Sequence, residues 1–306
     1  MLKEKIINKQ AGILTYGITP PKQNNSGEKI REIAERQINR IQGTNIDALI
    51  LYDIQEESDR IKEERPFSFL PTLDPVDYEQ RYLKDLDLPK IIYRCVGKYS
   101  REEFAQWLEL DPKKDRFSVF VGAASHKQPV KLRLTEAYQL RREIGNNLML
   151  GGITIPERHL RQPDEHLRIV QKTENGCKFF VSQTTYNVEA SKNLISDYYY
   201  YCQAQNIEMV PILFTLSPCG SLKTLEFMKW LGISIPRWLE NELINSEDIL
   251  EKSIALERLI FQELLDFALE KQIPIGCNIE SVSIRKAEIE ASVELVKEIK
   301  LMLMNA

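Results

Sequence analysis

The residue with the clearest chemical meaning is Gln183, an amide at the end of an apolar run in the segment Val181–Glu189. Residues at the carboxyl ends of buried strands face the mouth of an α/β barrel, where ligands bind. An amide at such a position can hold a polar ligand, although it can equally satisfy nearby backbone groups. Phe227 follows between Leu225 and Trp230, and on spacing alone this favours a core position on a helix.

Two predicted connections are longer than a turn requires and are therefore candidates for ligand-binding loops. Asp53–Pro75 follows the second predicted strand, and Pro156–Pro163 follows the fifth. The first connection begins with a dense run of polar side chains, in which Arg60 or Arg65 could bind an anionic substrate or cofactor. The alternative is that this run is a solvated loop.

Short apolar runs alternate with amphipathic stretches from one end of the chain to the other, and these elements must position the candidate residues. The predicted strands are Ile13–Ile18, Ala48–Tyr52, Ile91–Val96, Phe117–Gly122, Met149–Ile155, Lys178–Gln183, Met209–Thr215 and Ile275–Ile279. The clearest predicted helices are Ser26–Ile41, Ser100–Leu110, which opens with a capping box, and Asp248–Lys271.

About eight strand-then-helix units in a chain of 306 residues predict an α/β fold, the (β/α)8 TIM barrel. A doubly wound open sheet is the main alternative. No linker rich in proline, glycine or serine divides the chain. We therefore expect a single domain over residues 1–306.

The composition limits the classes of function. A net charge of -4 gives no basic surface, so we expect no nucleic-acid partner. The amino terminus lacks the apolar region of a signal peptide, and no apolar run approaches the roughly 18 residues that would span a membrane. The five cysteines are scattered without a Cys-x-x-Cys pair, which favours reduced thiols in the cytoplasm and no metal site.

Several segments together resemble the methylenetetrahydrofolate reductase family, and the resemblance covers nearly the whole chain. The matching segments, in chain order, are Pro20-Pro21, Ser182–Glu189, Val210–Ile212, Leu225–Phe227, Ile235–Trp238 and Arg285–Glu288. In that family an α/β barrel holds FAD, NAD(P)H reduces the flavin, and the flavin passes a hydride to methylene-tetrahydrofolate. The resemblance therefore implies a barrel with a folate-type ligand and these two cofactors.

The resemblance implies substrate-binding roles for four residues. Gln183 matches a glutamine that touches folate and nicotinamide, and Phe227 matches a ring that stacks on the same ligands. Lys286, or alternatively Arg285, matches an arginine that meets the glutamate tail of the folate. A lysine can pair with that carboxylate, although it lacks the bidentate fork of arginine.

Four further residues are implied as cofactor-binding. Tyr52, His159 and Lys172 fall where the family lines its flavin site. The glycine of the segment Gly122–Ser125 could help cradle a phosphate through backbone N–H groups. The alternatives are a surface loop for His159 and a solvated helix position for Lys172.

Three positions depart from the family's pattern. Gly17 stands where the family has the acidic residue that protonates N10 of the folate as the imidazolidine ring opens. Val121–Ala123 replaces an Arg-Gly-Asp beside the flavin, and Tyr93 replaces a histidine. Loss of a general acid typically costs about 10²–10⁴-fold in rate.

Two other carboxylates could supply the missing proton. Strand eight lies beside strand one in a closed barrel, so Glu280 could approach the space opened by Gly17. Asp53, after strand two, is the other neighbour. The alternative for both is a solvated or ion-paired carboxylate at the rim of the barrel.

The resemblance favours an oxidoreductase of one-carbon metabolism with NAD(P)H-linked hydride transfer to a methylene-tetrahydrofolate-type substrate. Such an enzyme could bind its flavin differently or take the hydride directly from NAD(P)H. One alternative is a non-catalytic folate- or flavin-binding regulator or partner subunit. Another is an enzyme of the same fold that acts on a different pterin or methyl-donor substrate. The oligomeric state stays open, with a homo-oligomer among the alternatives.

Overall fold

The centre of the molecule is a closed barrel of eight parallel strands, β1 to β8 in sequence order. This computed structural model describes residues 1–56, 63–110, 115–123, 129–144 and 147–305. The strands are β1 Leu14–Ile18, β2 Ala48–Leu51, β3 Lys90–Cys95, β4 Arg116–Val121, β5 Leu148–Thr154, β6 Cys177–Thr184, β7 Ile212–Leu216 and β8 Ile275–Glu280. Because β8 pairs in parallel with β1, the predicted (β/α)8 barrel is confirmed and the open sheet is excluded.

Helices follow the strands and form the outer layer of the barrel, apart from the first helix, which precedes β1. They are α1 Leu2–Ile7, α2 Gly27–Ile41, α3 Pro75–Tyr82, α4 Arg101–Glu109, α5 Leu134–Ile144, α6 Pro156–Arg161, α7 Glu165–Glu174, α8 Val188–Gln205, α9 Leu222–Trp230, α10 Arg237–Ile244, α11 Ile249–Glu270 and α12 Lys286–Met304. Side chains cap several of them. The predicted capping box of α4 is present, with Ser100 and Glu103 bonded to each other's backbone N–H groups.

Most predicted strand boundaries differ from the observed ones by a single residue, and two larger departures each involve a proline. The seventh strand begins at Ile212 rather than Met209, since Pro211 has no N–H to donate to a ladder. The predicted connection Pro156–Pro163 contains the helix α6, in which Pro156 takes the first position. Proline is well tolerated there because the first N–H of a helix has no partner within it.

The hydrophobic core has two parts. One lies between the strands and the outer helices, and the other fills the inside of the barrel with side chains such as Ile50, Phe117 and Val181. Leu2 and Ile6 of α1 pack against this inner part. Lys3 and Lys5 of the same helix form ion pairs with residues that precede β4 and β2, which places α1 across the amino ends of the strands.

Two general expectations can be compared with the structure. None of the helices in the described ranges combines the length and apolar character needed to cross a bilayer. All five cysteines are buried as free thiols.

Candidate functional site

The space above Gly17 is occupied by the ring of Tyr52. A Cβ atom added to Gly17 would lie 2.6 Å from both Cε2 and the hydroxyl oxygen of Tyr52. That contact is far shorter than van der Waals separation, so the absence of a side chain on β1 is what admits the ring. Asn278 Nδ2 donates to the Tyr52 hydroxyl at 2.9 Å, and Tyr93 packs edge-on at 4.8 Å between ring centroids.

Glu280 lies directly beside Gly17 in the register of β8 and β1. Its carboxyl group accepts hydrogen bonds from Tyr52 and, at 3.3 Å, from Thr184 Oγ1. Burial raises the pKa of Glu280 above its usual value, and these two hydrogen bonds only partly oppose that rise. A raised pKa favours the protonated form, which is the form that a proton donor requires.

Asp53 has a different environment, although it follows the neighbouring strand. Its carboxylate accepts from the Cys95 backbone N–H at 2.8 Å and from the Tyr99 hydroxyl at 2.9 Å. It also forms an ion pair with Lys98. Because its oxygens are bonded to the end of β3 and to the residues that follow it, Asp53 anchors that segment.

The main cavity opens on the carboxyl side of β5 and β6 and has a volume of about 810 Å³. Apolar, acidic and basic side chains all contribute to its wall. They include Glu157, Arg158, Arg161, Gln183, Lys229 and Trp230. Such a wall can contact an aromatic ring, donate hydrogen bonds and pair with carboxylates. The volume falls within the range of small-molecule sites, about 300–1,000 Å³.

Gln183 lies in this cavity wall at the end of β6. Its Nε2 donates to the backbone carbonyl oxygen of Leu231 at 2.9 Å, which ties the amide to the turn after α9. This contact agrees with the alternative that the amide satisfies a nearby backbone group. The same bond holds the side chain at a fixed place in the wall, where it can also meet a ligand.

Phe227 does not line the cavity but supports the ring that does. It is 7% exposed and stacks on Trp230 with ring centroids 6.0 Å apart. Phe67 packs edge-on against it at 5.2 Å, and the guanidinium carbon of Arg65 lies 5.0 Å from its ring centroid. Trp230 is held further by a 3.0 Å bond from Nε1 to the carbonyl oxygen of Glu63.

Glu157 is a cavity residue that was not predicted from the sequence. It lies in the first turn of α6, and burial raises its pKa from 4.5 to about 7. One of its carboxyl oxygens has no hydrogen-bond partner among the described residues. The available signal was the proline before it, because Pro156 marks a helix start rather than a loop.

The predicted late cations lie outside this cavity wall. Arg285 precedes α12, and its guanidinium bonds to the Gly220 carbonyl oxygen at 3.0 Å and to Glu288 at 3.3 Å. The Lys286 side chain is 79% exposed and lies 3.5 Å from Glu290. The cations that line the cavity are instead Arg158, Arg161 and Lys229.

The residues predicted to bind a flavin do not share one cavity. Tyr52 is inside the barrel mouth beside Glu280, whereas Gly122 follows β4 and its carbonyl oxygen accepts from Gln55 at 3.3 Å. Lys172 Nζ donates to the carbonyl oxygen of Ile153 at 2.6 Å, behind the strand. Arg60 and Ser125, which were also expected near ligands, lie outside the described residues.

His159 is buried in the helical layer rather than exposed on a loop. Its Nε2 lies 2.9 Å from Asp197 Oδ2 on α8, and its ring meets His166 of α7 edge-on at 5.4 Å. The neighbouring residues of α6, Glu157, Arg158 and Arg161, line the cavity. The short helix therefore separates the two groups of side chains.

Comparisons with known proteins extend this description. The family model described as methylenetetrahydrofolate reductase matches residues 126–273. An uncharacterized protein from Clostridium thermocellum that binds two copies of 5-methyl-5,6,7,8-tetrahydrofolic acid is 58% identical, with a TM-score of 0.90 over 99% of this chain and 100% of its own. An archaeal fructose 1,6-bisphosphate aldolase aligns over 100% of both chains at 10% identity and a TM-score of 0.46, too low to support any argument. No curated protein matches the chain.

Proposed function

Since this chain belongs to the methylenetetrahydrofolate reductase family, we propose that it binds a reduced folate of the 5-methyl-tetrahydrofolate type in the cavity beside β5 and β6. The observation that carries this proposal is the full-length similarity to the Clostridium thermocellum protein, which binds that compound. At that level of identity, the two proteins are expected to share most of the residues around a common pocket.

The cavity wall suits the chemistry of a pterin ring. A pterin presents a flat aromatic face and an edge that carries N–H donors and a carbonyl acceptor. Trp230, whose ring is 5% exposed and stacked on Phe227, contributes aromatic surface to the wall, and the Gln183 amide offers both a donor and an acceptor to the edge. The Glu157 carboxyl group, buried in the same wall, is a further acceptor for the N–H groups.

The remaining part of a folate is an aminobenzoyl-glutamate with one or more carboxylates. Arg158, Arg161 and Lys229 place three cations around the same cavity, where they can pair with those carboxylates. Lys229 is also paired with Glu240 at 2.6 Å, so the two arginines are the stronger candidates. Arginine forks bind carboxylates with two parallel hydrogen bonds. We therefore assign the tail to these cations in preference to Lys286, whose side chain is in solvent.

The described residues fit FAD poorly. Tyr52, Gly122, His159 and Lys172 lie in separate surroundings, and Lys172 and His159 are bonded within the protein behind the strands and helices. The proposed reaction therefore does not include a flavin.

A reductase activity with direct hydride transfer from NAD(P)H is the finer form of the proposal. Reduction of a methylene-tetrahydrofolate requires one hydride at the methylene carbon and one proton at N10. The hydride would come from the nicotinamide ring and the proton from Glu280, whose raised pKa supports a protonated carboxyl group. Glu280 is not part of the cavity wall, but it is bonded to Thr184, the residue next to Gln183. A reductase and a protein that only binds folate would share this cavity. They would differ in whether NAD(P)H is oxidised.

Isothermal titration calorimetry with 5-methyl-tetrahydrofolate tests the binding proposal. We expect saturable binding that Gln183→Ala weakens, while substitution of the exposed Trp238 on α10 leaves it unchanged. Absence of binding by the unaltered protein would refute the folate assignment.

A second assay tests turnover. NADH or NADPH oxidation is followed at 340 nm with methylene-tetrahydrofolate, in protein whose spectrum shows no flavin band near 450 nm. Oxidation that depends on the folate supports the reductase. Folate binding without oxidation of either nucleotide would leave a binding protein and exclude the reductase.

A further inference from the structure

Three metal-ligating side chains from three helices meet on the outer side of α6. His159 belongs to α6, His166 to the first turn of α7, and Asp197 to the middle of α8. One ligand atom from each residue lies within 4.8 Å of the other two. The group was not predictable from the sequence, because the two histidines are seven residues apart and the carboxylate comes from a different part of the chain.

The ring nitrogens of both histidines are poorly satisfied by the protein. Within the described ranges, Nδ1 of His159 and Nδ1 of His166 are buried without a hydrogen-bond partner. Buried polar nitrogens normally have a partner, and a lone pair on neutral imidazole is also a metal ligand. Two imidazoles in edge contact, each with an unpartnered nitrogen, are therefore more consistent with a ligand site than with packing alone.

The geometry lets a cation enter and be coordinated. The His159 side chain is 2% exposed, whereas that of Asp197 is 52% exposed, so the group is rigid on one side and open to solvent on the other. Tetrahedral zinc with bonds of about 2.0–2.1 Å needs ligand atoms about 3.3 Å apart. His159 Nε2 and Asp197 Oδ2 are already 2.9 Å apart, so the remaining adjustment is a turn of the half-buried His166 ring toward them.

We propose that His159, His166 and Asp197 form a binding site for a divalent transition-metal ion of the zinc class. Two imidazole nitrogens and one carboxylate oxygen are donors that suit this class of ion, and they rule against magnesium or calcium, which prefer oxygen ligands. Three protein ligands leave a fourth position for water on the solvent side.

An ion at this place would join α6 and α7 to α8. The opposite side of α6 carries Glu157, Arg158 and Arg161, which line the main cavity. Occupancy of the metal site would therefore fix one wall of that cavity. The site does not depend on the folate proposal, since its ligands face away from the cavity.

The test uses the full chain after dialysis against a chelator. Titration with ZnCl₂ by calorimetry, and with CoCl₂ by visible absorption, should each give one equivalent, with the intense d–d bands of tetrahedral cobalt. Zinc should also raise the melting temperature. His166→Gln and Asp197→Asn, both at positions with exposed surface, should each weaken zinc binding by at least about tenfold while the metal-free proteins keep their fold.

Two control variants separate this site from adventitious binding. Asp266→Asn removes a carboxylate from a surface helix, and His126→Gln removes the third histidine of the chain. Both should bind zinc as the unaltered protein does. Failure of the unaltered protein to bind zinc would overturn the proposal, and so would wild-type affinity in His166→Gln and Asp197→Asn.

Discussion

The ring of Tyr52 occupies the position that a side chain on Gly17 would take, because a Cβ atom there would lie only 2.6 Å from the Tyr52 hydroxyl oxygen. Gly17→Ala should therefore destabilise the protein by about 1–3 kcal/mol, because a packed ring must move. Urea unfolding measures this change. Gly27→Ala is the matched control, since its nearest neighbour would be 3.9 Å away, and we expect a change within about 0.5 kcal/mol. Equal stability of Gly17→Ala and the unaltered protein would mean that the Tyr52 ring can move away from Gly17 without a cost in stability.

Glu280 is predicted to donate the proton in the reductase reaction. Glu280→Gln preserves the shape and the contact to Thr184 but cannot release a proton. We expect the folate-dependent oxidation of NAD(P)H to fall by about 10²–10⁴-fold while folate affinity changes little. Steady-state rates and calorimetry on the same preparation separate the two effects. Unchanged rates would remove Glu280 from consideration, and Asp53→Asn would then be the next variant to examine.

Trp230 is predicted to contact the bound pterin, because it lines the cavity. Trp230→Ala should weaken binding of 5-methyl-tetrahydrofolate by about 1–2 kcal/mol, or roughly 5–30-fold, since a cavity-lining ring is lost. Trp238→Ala removes a ring that is 58% exposed on α10 and should have no effect. Calorimetry measures both affinities, and melting temperatures check that the variants are folded. Equal affinities for the two variants would contradict a pterin position beside Trp230.

The cavity cations are predicted to hold the glutamate tail. Arg161→Ala should weaken folate binding by about tenfold and should have less effect on a folate analogue that lacks the glutamate. Lys286→Ala should leave both affinities unchanged, because that side chain is in solvent. A loss of affinity in Lys286→Ala alone would instead restore the tail position that the sequence resemblance implied.

Glu257 of α11 is predicted to make stability depend on pH. Burial raises its pKa from 4.5 to about 8, against a 2.5 Å hydrogen bond from the Ser217 backbone N–H, with Tyr186, Cys277 and Glu280 facing it. Between these two pKa values the folded state binds more protons than the unfolded state, so stability falls as pH rises.

Glu257→Gln should remove this contribution. As pH rises from 5 to 8, the free energy of unfolding of the variant should increase relative to that of the unaltered protein. The increase over this range should be on the order of a few kcal/mol. Urea unfolding at several pH values measures the difference. Glu263→Gln, an exposed carboxylate on the same helix, should shift stability by less than about 0.5 kcal/mol at every pH. A pH-independent difference for Glu257→Gln would show that the buried carboxyl group keeps its ordinary pKa.

The strands were predictable from sequence because a barrel strand is buried on both faces and reads as a short apolar run. All five residues of β1 are buried, for example, and so are the four of β2. The helix α6 was not predictable in the same way, since its six residues are too few to show a period. A proline after a strand is equally compatible with a loop.

The candidate site was predictable only in part. Gln183 could be found because its position at a strand end follows from the barrel itself. Glu157 and Trp230 could not, since their meeting depends on how α6 and α9 pack above the strands. The adjacent Phe227 drew attention by resemblance, but the turn of the helix directs Trp230 to the cavity and Phe227 behind it.

The position of α1 across the amino ends of the strands has a kinetic consequence. With that end covered and the interior filled by side chains, both reactants would have to enter from the carboxyl side of the strands. If folate and nicotinamide stack in the same opening, the inner one must arrive first and depart last. Double-reciprocal plots of initial rates for such an enzyme would show the intersecting lines of a sequential mechanism. Product inhibition would then give the order of binding and identify which compound lies deeper.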